Sequence, residues 1–294
     1  MKNKTVKTWS TPILEEKKRF ISCTLCGNNV FKHYFSGEGF SYVRCVNCGL
    51  VQMNPQPEEN EIKSRYSGED YLAYELANEK AFLDLQLLAL SDVNFEELEK
   101  NFLSSKKTNI LDIGCATGSL LSKLKERGWE TTGVEINETQ AEYGRIKRNL
   151  NVQSLKLQEI NFPSGNFNVV LASHLIEHLN DPLAMVKEVH RLLSPEGRFI
   201  ITTPNVSGFQ ARLFRGRWRS AIFDHLYLFS IKTLSKLLLE NGFLIEKIGT
   251  WGGLGAGIAP RHIKSVFDKA AKRFGFGDVM IIRAIARGCP GQQS

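Results

Sequence analysis

From residue 109 onward the chain alternates short apolar runs with helix-length segments, and this alternation restricts its possible folds more than any other feature. Strand-like runs fall at 109–113, 130–135, 152–157, 167–172, 198–203, 243–249 and 279–286. Helical segments at 119–127, 138–149, 182–193 and 231–241 lie between most of them. Strands separated by helices pair in parallel, because each crossover carries the chain back over the sheet before the next strand starts. The expected fold class is therefore α/β, a doubly wound, mostly parallel, seven-stranded Rossmann-like sheet. A last helix at 261–274 leads directly into the final run, which predicts an edge strand added after the main winding.

Ahead of this core stand two cysteine pairs, Cys23-Thr24-Leu25-Cys26 and Cys45-Val46-Asn47-Cys48, eighteen residues apart. Each pair can turn two sulfurs toward one point, and Gly27 and Gly49 relieve the backbone directly after each turn. The spacing predicts a closed, structural zinc site with Cys23, Cys26, Cys45 and Cys48 as ligands. A redox pair is the rival, but no thioredoxin-like βαβ context surrounds Cys23. Asn54-Pro55-Gln56-Pro57 is a stiff break after the cysteines. The expected layout is a zinc ribbon over 1–57, a helical linker with Leu83, Leu87, Leu88 and Leu90 on its apolar face over 58–108, and the core over 109–294.

The first core strand passes through Asp112-Ile113-Gly114-Cys115-Ala116-Thr117-Gly118 into a helix at Ser119. Gly114 and Gly118 let the backbone approach a ligand closely, and the helix start offers unpaired N–H groups. Asp112, at the strand's carboxyl end, can accept a hydrogen bond from an ammonium or hydroxyl group. About twenty residues on, the second strand ends at Glu135, where an acid can hold both hydroxyls of a ribose. A nicotinamide-binding loop would want Gly-x-Gly-x-x-Gly, and Ala116 and Ser119 break that pattern.

The loop, the segment Val134-Glu135-Ile136 and the block 167–205 together resemble the class I S-adenosylmethionine-dependent methyltransferases. The resemblance covers about 109–286 and implies a methyl-transferring enzyme that uses S-adenosylmethionine. It further implies that Asp112, Gly114, Cys115 and Gly118 face the methionine part and Glu135 the ribose, with Ile136, Leu157 and Gln158 along the nucleoside. By the same resemblance Ser173 and His174 lie beside the donor at the end of the fourth strand. A ribbon, Asn-Pro-x-Pro and then this core is similar to bacterial enzymes that methylate sugars or surface-polysaccharide intermediates.

A sulfonium methyl group is already electrophilic, so such an enzyme aligns a nucleophile and removes its proton where needed. Histidine titrates near neutrality and suits that task, which makes His174 and His225 the candidate catalytic residues. His174, Glu177 and His178 could alternatively hold a divalent metal. Arg212, Arg215, Arg217 and Arg219, interleaved with Phe214 and Trp218, could clamp a diphosphate. The leading expectation is O-methylation of a small hydroxylated acceptor, such as a nucleotide- or lipid-linked sugar. The alternative is an RNA methyltransferase whose ribbon and basic start bind nucleic acid, since a net charge of +7 permits either partner. No apolar stretch approaches the ~20 residues a membrane span requires. Peripheral membrane contact stays open through the helix at 261–274, and a cytoplasmic location is expected from the reduced cysteines and the absence of a signal-like start.

Overall fold

The computed structural model describes residues 19–37, 39–58, 69–252 and 261–287, with backbone alone at 69–71 and 261–267. Most of the basic lead-in, the glycine-rich stretch after Gly252, Cys289 and the side chains of Ile263, Val266 and Phe267 lie outside the described residues.

Strands β1 (Phe31–Gly37), β2 (Phe40–Cys45) and β3 (Val51–Met53) form an antiparallel meander. Helices α1 (Glu69–Asp92) and α2 (Phe95–Ser104) follow. The core then runs β4 (Asn109–Ile113), α3 (Ser119–Glu126), β5 (Glu130–Val134), α4 (Glu138–Arg148), β6 (Asn151–Gln153), β7 (Phe167–Ser173), α5 (Pro182–Leu192) and β8 (Leu193–Pro204). It continues through α6 (Phe209–Phe214), β9 (Tyr227–Leu228), α7 (Ile231–Glu240), β10 (Phe243–Trp251), α8 (Arg261–Phe274) and β11 (Val279–Ala286).

The main sheet has the order β10-β11-β8-β7-β4-β5-β6, with five parallel strands from β8 to β6 and β11 antiparallel to both its neighbours. Side-chain alternation along these strands explains why helices cover both faces. Ile110, Val169, Leu171 and Ile200 point into a core with α1, α2 and Trp129. Leu111, Val170, Ala172 and Ile201 point the other way, into a core with α5 and α7. The starts of α4 and α5 are satisfied locally. The Asn137 and Asp181 side chains accept from the amides of Gln140 and Ala184, and Pro182 occupies the first turn, where no amide hydrogen is needed.

Three expectations are corrected. The final strand is not at the edge: β11 lies between β8 and β10, and β10 is outermost. β11 is buried along nearly its whole length, so it needs cover on both faces, whereas β10 alternates with exposed positions at Leu244, Glu246 and Ile248. The third strand stops at Gln153, and Leu157 begins a short 3-10 turn, Leu157–Glu159. Leu88 is exposed on α1, while Leu90 is buried and Leu83 and Leu87 pack against the second core.

The cysteine meander also extends into the core domain. β9 pairs antiparallel with β3, so the small sheet has the order β1-β2-β3-β9. One apolar core then runs from Phe35, Tyr42 and Val51 through Leu226, Tyr227 and Leu228 to α5 and α7.

Candidate functional site

The parallel register brings Ile113, Val134, Ser173 and Thr202 to the same edge of the sheet, and the loops leaving these strands build the site. In such a sheet the ligand crevice lies outside the carboxyl ends of the strands. The first loop turns on left-handed backbone at Gly114, Ala116 and Gly118. Gly118 begins α3, and a Cβ there would stand 2.5 Å from Leu150 Cδ1, so both conformation and space favour glycine. The amides of Gly114 and Cys115 are held by the Val134 carbonyl at 2.7 and 3.2 Å.

Glu135 closes this loop from the neighbouring strand. Its Oε2 accepts from the Ala116 amide at 3.0 Å and its Oε1 from the Asn137 amide at 2.8 Å. Each oxygen keeps a second lone pair for a ligand hydroxyl. Asp112 sits behind, wholly buried. Burial first, and the Glu135 charge second, push its carboxyl up to about 8. Two carboxylates set so close in a dry site favour a cationic visitor. The residues thus fit an amino-acid ammonium at Asp112 and a ribose at Glu135.

The remaining expected donor contacts divide. Ile136 is exposed just past Glu135, as an apolar wall for a nucleoside requires, and Gln158 is exposed after β6. Leu157 is buried in the main core. Cys115 belongs by its side chain to a small core with Leu121, Ala141, Leu150 and Val152, so only its backbone faces the loop. Ser173 is half-buried at the tip of β7.

Beyond Ser173 the chain turns at His174, which has φ 51°, and enters a short 3-10 turn, Ile176–His178. A Cβ on Gly114 would lie 3.4 Å from Leu175, so this turn touches the glycine loop. The His174 side chain is 48% exposed and that of Glu177 only 1%. Glu177 Oε1 is 3.2 Å from His174 Nδ1, and Oε2 accepts from Thr203 Oγ1 at 2.8 Å. Although burial opposes ionisation, the His174 hydrogen bond and the histidine charges around Glu177 bring its carboxyl down to about 2.

His225 reaches the same place from a segment 47 residues later, a juxtaposition that spacing along the chain could not disclose. It is buried, its Nδ1 is 2.8 Å from the Ser220 carbonyl, and its ring meets that of His178 edge-on at 4.6 Å. Burial is the chief reason its pKa falls to about 4, leaving the ring neutral at ordinary pH. Thr203 supports Glu177, whereas Asn205 turns inward and donates to the Gly277 carbonyl at 2.9 Å.

Two residues that sequence reasoning passed over also shape the site. Glu79 on α1 accepts from Thr117 Oγ1 at 3.2 Å and pairs with Arg148, which ties α1 over the glycine loop. The Tyr42 hydroxyl lies 2.6 Å from the His225 carbonyl and 3.0 Å from that of Ile222, and shares its one proton between them. Nothing local marked either residue: the helical reading of 58–108 rested on its leucines, and Tyr42 lies in an ordinary strand-like run.

The four cysteines converge at one end of the small sheet, beside the turn between β2 and β3. Cys23 and Cys48 sulfurs are 3.4 Å apart and those of Cys26 and Cys45 3.5 Å, well beyond a disulfide bond. All four sulfurs lie within 4.8 Å of one another, as tetrahedral binding of one metal ion requires. Gly27 and Gly49 take left-handed backbone directly after the pairs, and their amides point back to the Cys23 and Cys45 carbonyls at 2.7 and 3.1 Å. Arg212, Arg215, Arg217 and Arg219 are all exposed, while Trp218 between them is buried. No helix among the described residues is long and apolar enough to cross a membrane.

Residues 81–248 match the family model described as a methyltransferase domain, which is more than half of the chain. The ubiquinone biosynthesis O-methyltransferase of Pseudomonas aeruginosa is 29% identical over 113 residues, covering 36% of this chain and 48% of that protein. Its namesake from Coxiella burnetii is 26% identical over 130 residues, covering 42% and 55%. The chain thus spans about half the length of the curated relatives it matches. The crystal structure of an S-adenosylmethionine-dependent methyltransferase from Archaeoglobus fulgidus shares the fold, with TM-score 0.50 and 21% identity over 72% of this chain and 99% of that one. With the donor-type loop, the acid after β5 and this match across the whole parallel core, the chain belongs to the class I S-adenosylmethionine-dependent methyltransferases.

Proposed function

We propose that this enzyme methylates a hydroxyl oxygen of a small acceptor, a sugar carried on a nucleotide or lipid diphosphate. The observation that carries the reading is the pairing of exposed His174 with buried Glu177 at the tip of β7, against the glycine loop. An oxygen nucleophile must shed its proton during transfer, which neutral amines need not do beforehand, so a positioned base suits a hydroxyl acceptor. A bound sulfonium donor supplies the electrophilic methyl group. Asp112 and Glu135 hold that donor by its ammonium and ribose, and the backbone of Gly114, Cys115 and Gly118 passes close to it. Ile136, Gln158 and Ser173 border it.

Glu177 accepts from His174 Nδ1 and so leaves Nε2 as the basic atom facing the acceptor. As the new O–CH3 bond forms and the sulfur–methyl bond breaks, the hydroxyl proton passes to that nitrogen. Neutral His225 forms the opposite wall. The four exposed arginines before it supply positive charge for a diphosphate carrier. The O-methyltransferase relatives support the choice of oxygen. A structural zinc ion in the cysteine cluster would hold β1 to β3 in shape, and its four reduced thiolates fit a cytoplasmic setting.

The test incubates purified enzyme and labelled S-adenosylmethionine with separate pools of sugar nucleotides, lipid-linked glycans and RNA. Label is expected in a sugar hydroxyl, lost in His174→Ala. Label in RNA alone, or in none of the pools, would overturn the assignment.

A further inference from the structure

We propose that Glu177, His178 and His225 form a second metal site, separate from the cysteine cluster, for a divalent first-row transition ion. One potential ligand atom from each residue lies within 4.8 Å of the other two. One carboxylate and two imidazoles are a recurrent donor set for such ions, harder than thiolate and softer than the all-oxygen sets that suit magnesium or calcium. The two clusters therefore differ in selectivity: four thiolates select zinc, whereas the imidazole–carboxylate set accepts manganese, iron, cobalt or zinc.

The surroundings match what a metal-bound imidazole needs. His178 Nδ1 is 2.9 Å from the Asp224 carbonyl and His225 Nδ1 is 2.8 Å from that of Ser220. A carbonyl only accepts, so in the neutral rings each Nδ1 carries the hydrogen and each Nε2 the lone pair. Metal-ligating histidines are commonly oriented by such a bond from the other ring nitrogen. The carboxylate is also braced, by Thr203 Oγ1 on Oε2 and His174 on Oε1, and each oxygen retains a further lone pair. The backbone fixes the spacing: the Leu226 amide donates to the Glu177 carbonyl at 2.7 Å, locking the His225 segment to the 3-10 turn.

His174 is not among the three converging residues, so the sequence-based grouping of His174, Glu177 and His178 is replaced by one that includes His225. Three protein ligands leave coordination positions open. Acceptor hydroxyl oxygens would fill them. That role rests on the acceptor assignment above, whereas metal binding itself does not.

The test takes the 294-residue chain brought to one zinc per chain, held by the thiolates, titrates it with manganese and follows the loss of the free-ion electron paramagnetic resonance signal. One manganese per chain is expected. His178→Gln and Glu177→Gln should each weaken it at least tenfold, with zinc content and affinity for S-adenosylhomocysteine retained as proof of folding. If Glu177→Gln fails to fold, His178→Gln, at a half-buried position, decides alone. No bound manganese, or binding that both folded variants retain, overturns the site. Manganese bound as expected with no hydroxyl methylation would leave the site standing and remove the acceptor assignment.

Discussion

Asp112 carries an opposition between stability and binding. Its carboxyl is held near pH 8 by burial and by Glu135, against an ordinary 3.8. Between about pH 4 and 8 the folded chain keeps a proton that the unfolded chain has released, so stability falls as pH rises through that window. Asparagine at 112 has no proton to lose. Asp112→Asn without donor should show a flatter decline of melting temperature from pH 5 to 9, measured by thermal melts. The same variant loses a charge-assisted hydrogen bond worth about 1.5–3 kcal/mol. Its affinity for S-adenosylmethionine, read by calorimetry, should therefore drop by about one to two decades. Unchanged affinity would place the ammonium elsewhere. The loop glycines and Glu135 were legible beforehand because their chemistry is local: backbone conformation, and an acid at a strand end. The packing of the Cys115 sulfur against Leu121 and Leu150 was not legible, since spacing locates a backbone but not which way its side chain turns.

At the scale of elements, β9 is only two residues long, yet it joins the cysteine sheet to the turn that holds Glu177. Met53 donates to the Leu226 carbonyl, and Leu226 donates to that of Glu177. Tyr227 donates to the Asn180 carbonyl at 3.2 Å, so the 2.8 Å bond with Thr24 must have Thr24 as donor. Tyr42 lies in the middle of this net and holds the His225 carbonyl. Tyr42→Phe removes one buried donor, a loss of about 1–3 kcal/mol in stability. Turnover should fall about tenfold or more through the displaced His225 segment, while affinity for S-adenosylhomocysteine stays within twofold. Equal losses in turnover and donor affinity would show that Tyr42 supports the whole fold instead. The position of β11 follows from similar arithmetic of burial. Its apolar run reads as a strand from sequence, but which strand sits outside depends on the charges of β10, with Glu246 paired to Arg198 and Arg283.

In the whole molecule, the small sheet and the parallel sheet share one apolar core, so the cysteine cluster is mechanically linked to the turn that carries Glu177. The glycine loop and Glu135 are built on β4, β5 and α3 and have no strand in the small sheet. Loss of a structural metal should therefore act unevenly. Cys45→Ser is expected to lower zinc content, measured by elemental analysis, and to abolish most methyl transfer. Binding of S-adenosylhomocysteine should stay within about threefold, because the glycine loop and Glu135 do not depend on β1 to β3. Parallel loss of both would mean that the two sheets fold as one unit.

The sequence alone determined the parallel winding, the glycine loop with its acid, and the four converging sulfurs, because each leaves a local mark: strand–helix alternation, a loop and an acid about twenty residues apart, and paired cysteines. Only the tertiary structure decided the order of the last two strands, the pairing of β3 with β9, and the meeting of His225 with Glu177 and His178. Those depend on how two sheets bury a shared core, and distant segments brought together by burial leave no period or spacing along the chain.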